Sequence, residues 1–245
     1  MLKGLGLPLA LTCALSCGLA EIAAGAILNG KLSVRDGGIV AGGAWNDPNT
    51  IFSWKVTAPA QTPGGEWRYE YTFTVPHPEP GGWCSLCGCG WSGSTATDPG
   101  IDRLLVELRF QVLIGDLVNK SWTGQEGQTA QVRLYTPSGD GTVLPDLPGD
   151  AYGIKFNITG APTTVVAEFD TAHSPTWGDF YVCGGLAGPA AWNEGFTLID
   201  PNDPPADGSI LNHILVPGPG TEIPEPSVAA LLLAGALLCL RRRPG

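Results

Sequence analysis

The chain has 245 residues, a formal net charge of −10 and an apolar fraction of 43%, which suffices for one large or two small folded domains and argues against disorder. Its 35 Gly and 22 Pro form no repeat and accompany 8 Trp, so they read as punctuation between short strands. Without Lys3, Glu21, Glu225 and the arginines at 241–243, 9 basic and 21 acidic residues remain, about −12; such a body is expected to repel nucleic acid and anionic lipid.

Residues 1–26 read as an export signal. Lys3 supplies a positive start, Leu5 to Leu19 is mostly apolar, and small residues follow at Gly18-Leu19-Ala20 and Ala24-Gly25-Ala26, placing cleavage after Ala20 or Ala26. Cys13 and Cys17 lack the pattern that lipid attachment needs.

Residues 27–200 read as an all-β ectodomain, an antiparallel sandwich of jelly-roll type. In "WRYEYTFTV", Trp67, Tyr69, Tyr71, Phe73 and Val75 share one face and Arg68, Glu70, Thr72 and Thr74 the other, the period of a half-buried strand. The run "IDRLLVELRFQVLI" is read the same way, with Leu104, Val106, Leu108, Phe110 and Val112 inward and Glu107, Arg109 and Gln111 outward. Short strands follow in "AQVRLYT", "YGIKFNI", "TTVVAEF", "GDFYVC" and "ILNHILV". Turn sequences rich in Pro, Gly and Asp separate them, because Pro fixes φ and Gly or Asp tolerates positive φ.

Between the first two strands lies "WCSLCGCGW". Its Cys84, Cys87 and Cys89, with Cys183, are disulfide candidates, since four cysteines in an exported domain make two bridges. Ring strain disfavours Cys87–Cys89, which leaves Cys183 bonded to Cys87 or Cys89 and Cys84 closing locally on the third. A four-thiolate zinc site is disfavoured, because Cys183 stands where a second C-x2-C would be needed. Trp83, Trp91, Trp177 and Trp192 are candidate platforms for stacking on sugar rings; core packing is the plainer role for each.

No catalytic residue, metal ligand or cofactor is assigned. His77, His173 and His213 read as surface or strand residues, outside any H-E-x-x-H motif. Glu107 and Asp179 fall in strand-like runs and would matter only if both faced one groove. "DPNDPPADG" and "PSGDG" lack the spacing of a calcium loop, so structural calcium has no support and the Asp side chains are expected to cap their own backbone.

Residues 201–223 read as a last strand and a Pro/Gly-rich stalk, and 224–245 as a separate device. Pro224-Glu225-Pro226-Ser227 precedes an apolar run, Val228 to Leu240, which meets Arg241, Arg242 and Arg243. As a helix, Ser227 to Leu240 would span about 21 Å against a bilayer core of about 30 Å. The arginines would hold its end in the cytoplasm. In order and composition this segment resembles the PEP-CTERM sorting domain of Gram-negative bacteria. "YGIKF" at Tyr152, "WGDFY" at Trp177 and "ILVP" at Ile214 resemble uncharacterised ectodomains that accompany that tag. The resemblance implies inner-membrane tethering through a short transmembrane helix and recognition at Pro224–Ser227 by an exosortase, a membrane-embedded cysteine transpeptidase. It also implies a cell-surface or extracellular, non-enzymatic role beside exopolysaccharide in biofilm. A carbohydrate-binding module working through exposed Trp is the alternative, and a matrix-polymer hydrolase a distant third.

Overall fold

The computed structural model describes residues 26–76, 100–141, 143–185 and 188–219. In chain order the strands are β1 (Ile27–Ser33), β2 (Ile39–Ala41), β3 (Ile51–Thr57), β4 (Trp67–Thr74), β5 (Arg103–Glu107), β6 (Leu117–Trp122) and β7 (Gln131–Tyr135), then β8 (Ala151–Asn157), β9 (Thr164–Thr171), β10 (Pro175–Gly178), β11 (Phe180–Cys183), β12 (Ala190–Asn193) and β13 (Ile214–Pro217). They form a five-stranded sheet in the order β1-β3-β4-β9-β6, a six-stranded sheet in the order β2-β12-β11-β5-β8-β7, and a two-stranded ribbon of β10 and β13. Every pairing is antiparallel, so the expected all-β class holds. The α-helix among the described residues is a single turn, Pro137–Asp140. Pro stands at its first position, and Thr136 Oγ1 accepts from the Gly139 N–H.

Strand β4 follows its sequence. Trp67, Tyr69, Tyr71 and Phe73 are buried, and the residues between them are half-buried. Its inward aromatics join a core fed by both large sheets. Phe52 on β3 stacks on Phe180 of β11, with ring centroids 3.8 Å apart, and Phe156 on β8 meets Phe169 on β9 at 6.4 Å.

The outer face of β4 carries a buried charge pair. Register sets Arg68 opposite Asp170, and the guanidinium donates from Nε to Oδ1 at 2.7 Å and from its terminal nitrogen to Oδ2 at 2.9 Å. Asn119 donates to the same Oδ2 at 2.8 Å, from a position where the β6–β9 register shifts and φ is +51°. Its left-handed backbone is the conformation Asn tolerates best among side-chain-bearing residues. The Arg68 hydrogen bond, assisted by Asn119 and by the Arg68 charge, holds the Asp170 carboxyl below its ordinary range.

Strand β5 departs from expectation. It stops at Glu107, and the chain turns through Arg109–Val112, where the Val112 N–H donates to the Arg109 carbonyl at 2.9 Å. Phe110, expected inside, is 82% exposed and lies against the Tyr152 ring. The local alternation continues in sequence, but the Arg109 N–H bonds to the Pro217 carbonyl and its side chain to Asp200, which draws the backbone off the ladder. The last strand is present as β13, whose Ile214, Leu215 and Val216 are fully buried. The leader and the tail lie outside the described residues; within those residues no helix is long and apolar enough to cross a membrane.

Removing the Arg68 side chain leaves a nearly buried carboxylate without its cation. Arg68→Ala is expected to cost about 1–3 kcal/mol in urea unfolding, below the full penalty for a buried pair because the Arg68 side chain is 39% exposed. Asp170→Asn should cost a similar amount, since it removes the charge opposite Arg68 and sets an NH2 donor where an oxygen accepted from Arg68 or Asn119.

Candidate functional site

The densest polar cluster forms where the chain passes from the two-stranded ribbon into the six-stranded sheet. Asp179 is the single residue between β10 and β11. Pairing of β11 with β5 brings it beside Glu107: the Glu107 N–H donates to the Asp179 carbonyl, and the Asp179 N–H to Glu107 Oε2, both at 2.9 Å. The preceding Gly178 permits this approach, because a Cβ there would lie 2.9 Å from Glu107 Oε2 and 2.6 Å from a Val216 methyl. Asn193, at the end of β12, donates to Asp179 Oδ1 at 2.6 Å and accepts the Phe180 N–H at 2.9 Å.

His213 enters from the other side, one residue before β13. Leu211 and Asn212 both have positive φ, +48° and +61°, and this tight turn swings the imidazole inward. Ser209 Oγ donates to the His213 carbonyl at 2.7 Å, and Asn212 donates to Glu194 at 2.9 Å, which hold the turn. The ring is wholly buried, with Nδ1 2.9 Å from Asp179 Oδ1 and 3.3 Å from Asp200 Oδ1. Asp200 comes from the long loop between β12 and β13. Arg109 fixes its other oxygen at 2.7 Å while donating to the Trp177 carbonyl at 3.0 Å.

The electrostatics follow from burial and proximity. Burial by itself pulls the His213 pKa down, but the hydrogen bond to Asp179, the close Asp200 carboxylate and the charges of both outweigh it and raise it to about 9. Burial, then the Asp179 and Asp200 charges, push the Glu107 carboxyl up to about 8 against the opposing pull of Arg109. At neutral pH the cluster therefore holds a cationic imidazole between two carboxylates, with Glu107 largely protonated. Two buried atoms are left without a hydrogen bond, Asp200 Oδ1 and His213 Nε2. Asp179, Asp200 and His213 each offer one ligand atom, all within 4.8 Å of one another, so among the described residues these three could hold a metal ion.

Sequence reading reached part of this. Glu107 and Asp179, which would matter only if both faced one groove, meet through hydrogen bonds set by strand register, and neither lines the groove that runs over β1, β3 and β4. His213, read as a surface or strand residue, is instead a buried ion-pair partner. Asp200, read as a turn residue, is a partner of Arg109. The one available signal was a buried-looking run, "ILNHILV", carrying a histidine, and that alone names no partner.

The other expectations divide. Trp177 cannot stack on a sugar: it has no exposed surface, and its Nε1 donates to the Asp203 carbonyl at 3.0 Å. Trp45, Trp54, Trp67 and Trp122 are likewise buried, and Trp192 is half-buried. Trp83, Trp91 and His77 lie outside the described residues, as do Cys84, Cys87 and Cys89. Cys183 is fully buried at the end of β11, where burial raises its thiol pKa. His173 sits 3.4 Å from Asp116 in an exposed pair. A groove of about 540 Å³ runs over β1, β3 and β4, among Lys31, Lys55, Glu70 and Thr72 with Trp54 in its lining, apart from the His213 cluster.

Both raised groups act on stability in one direction. Protonated His213 contributes in full below its ordinary 6.5 and loses that contribution as pH rises through about 9. Protonated Glu107 contributes in full below 4.5 and loses it through about 8. The metal-free protein should therefore show a falling urea midpoint from roughly pH 4.5 to roughly pH 9. Glu107→Gln keeps an acceptor for the Asp179 N–H and should make that decline shallower.

No protein-family model, curated protein or solved structure matches this chain.

Proposed function

We propose that this chain is an exported, non-enzymatic component of the cell surface or extracellular matrix, delivered by its leader and addressed by a tail of PEP-CTERM type to an exosortase. One observation carries the reading: Pro224-Glu225-Pro226-Ser227, an apolar run and an arginine cluster follow one another in that order. Proline fixes φ and disfavours helix in the residue before it, which keeps Glu225 extended ahead of the apolar segment. The body fits the role: acidic, all-β and stabilised by an aromatic core. We read the two large sheets as the faces of a sandwich, since Phe52–Phe180 and Phe156–Phe169 bring their side chains into one core.

The two-disulfide reading belongs to the same proposal. The cysteine-bearing segment re-enters the fold at Gly100, whose carbonyl lies against Gly184, the neighbour of Cys183; a Cβ on Gly184 would stand 2.8 Å from it. The chain thus returns beside the buried thiol that a bridge to Cys87 or Cys89 would use. The carbohydrate-binding alternative loses Trp177 and the other buried tryptophans; it now depends on Trp192, Trp83, Trp91 and the groove.

The test is the intact mass of the protein recovered from its native host's surface or medium, alkylated with and without prior reduction. The expected product lacks both ends, is cut near Glu225–Ser227, and takes up alkylating agent at its remaining cysteines only after reduction. Glu225→Ala should leave the arginine cluster attached. A wild-type product that keeps Arg241–Arg243 at steady state would make the tail a plain anchor.

A further inference from the structure

We propose that His213, Asp179 and Asp200 form a binding site for one divalent transition ion of the zinc type, with His213 Nδ1 and one oxygen of each carboxylate as ligands. The site is distinct from the cysteines, and the inference is independent of how the chain is sorted.

The donor set points to this class of ion. Imidazole nitrogen with carboxylate oxygens suits zinc and its neighbours, whereas calcium takes six to eight oxygens. The spacing agrees. Ligands about 2.0–2.2 Å from a tetrahedral ion lie roughly 3.3–3.6 Å from one another; Nδ1 stands 2.9 and 3.3 Å from the two carboxylate oxygens. The three ligand atoms lie within 4.8 Å of one another, so binding needs the two carboxylates to close on the ion by about an ångström at most.

A second, independent observation comes from an unpartnered atom. Asp200 Oδ1 is buried and accepts no hydrogen bond; its cationic neighbour, His213 Nδ1 at 3.3 Å, is hydrogen-bonded to Asp179 instead. A buried acceptor left unsatisfied costs stability, and a cation between Asp200, Asp179 and His213 supplies its partner. The two carboxylates are supported as metal ligands are, while His213 Nε2 has no hydrogen-bond partner. Asn193 donates to Asp179 and Arg109 to Asp200, which fixes both carboxylates in orientation. Glu107 positions the Asp179 backbone. Asp179 and Asp200 against Arg109 leave one negative charge, which favours a cation at this position. On binding, Nδ1 uses its lone pair for the metal and its proton passes to solvent.

The ligands also bridge distant parts of the fold: Asp179 at the β10–β11 junction, His213 before β13, and Asp200 in the loop between β12 and β13. The Asp200 side chain is 17% exposed, so the loop provides the entry path. Bound metal would clamp that loop to the sheet.

The experiment uses the full chain with its disulfides left intact, stripped by chelator, titrated with Co²⁺ and then competed with Zn²⁺. The expected result is one equivalent of Co²⁺ with visible d–d bands and no thiolate charge-transfer band, displaced by Zn²⁺ with a rise in Tm. Asp200→Asn should weaken Co²⁺ binding roughly 100-fold, and Asp116→Asn, in the exposed pair with His173, should not change it. Absence of uptake, a thiolate charge-transfer band, or uptake indifferent to Asp200→Asn would each overturn the proposal. Should Asp200→Asn fail to fold, the wild-type stoichiometry and spectrum decide alone.

Discussion

A wholly buried imidazole held between two carboxylates is the constraint around which one side of this molecule is organised. An isolated charge in such a position would be prohibitively costly, and the imidazolium persists because Asp179 and Asp200 face it directly. Those carboxylates need support in turn. Asn193 supplies it from β12, Arg109 from the turn after β5, and Glu107 from the end of β5 through the Asp179 backbone. Five segments that share no local sequence therefore meet at one point, and the polar network ties the loop between β12 and β13 to the sheet.

The apolar interior supplies the complementary part of the stability. The stacked Phe52 and Phe180 rings join residues of the two large sheets, and Tyr71, buried beside Phe52, spends its hydroxyl on the Leu215 carbonyl of the ribbon at 3.0 Å. Trp177 is similarly committed to the Asp203 carbonyl. Among the described residues tryptophan chiefly fills core volume, and Trp122 and Trp177 satisfy their ring N–H at backbone carbonyls. It adds little surface for recognition among the described residues.

The outer faces follow another rule. Arg68 and Asp170 sit opposite by register, and Asn119, in a left-handed conformation at a register shift, completes the carboxylate's partners. The strand irregularity and the charge pair form one unit: the shift places the amide where the carboxylate's second oxygen needs it. A body built this way suits an exposed, acidic, exported domain, in keeping with the role proposed for the tail.

Local chemistry in the sequence sufficed for the all-β class and for β4, because a period of two with aromatic residues describes burial without reference to any partner. It also sufficed for the strand at "ILVP" and for the composition of the tail, both properties of contiguous residues. It failed at Phe110, where the alternation continues but the backbone is pulled away by Arg109; at Trp177 the plainer of its two roles, core packing, holds. Nothing in the sequence joins Glu107, Asp179, Asn193, Asp200 and His213. Strand register sets the first two together, and a strained turn at Leu211–Asn212 with an arginine-held loop brings in the last two. Burial pattern is written in neighbouring residues, but the encounter of charges far apart along the chain is decided only when the sheets pair and the loops close over them.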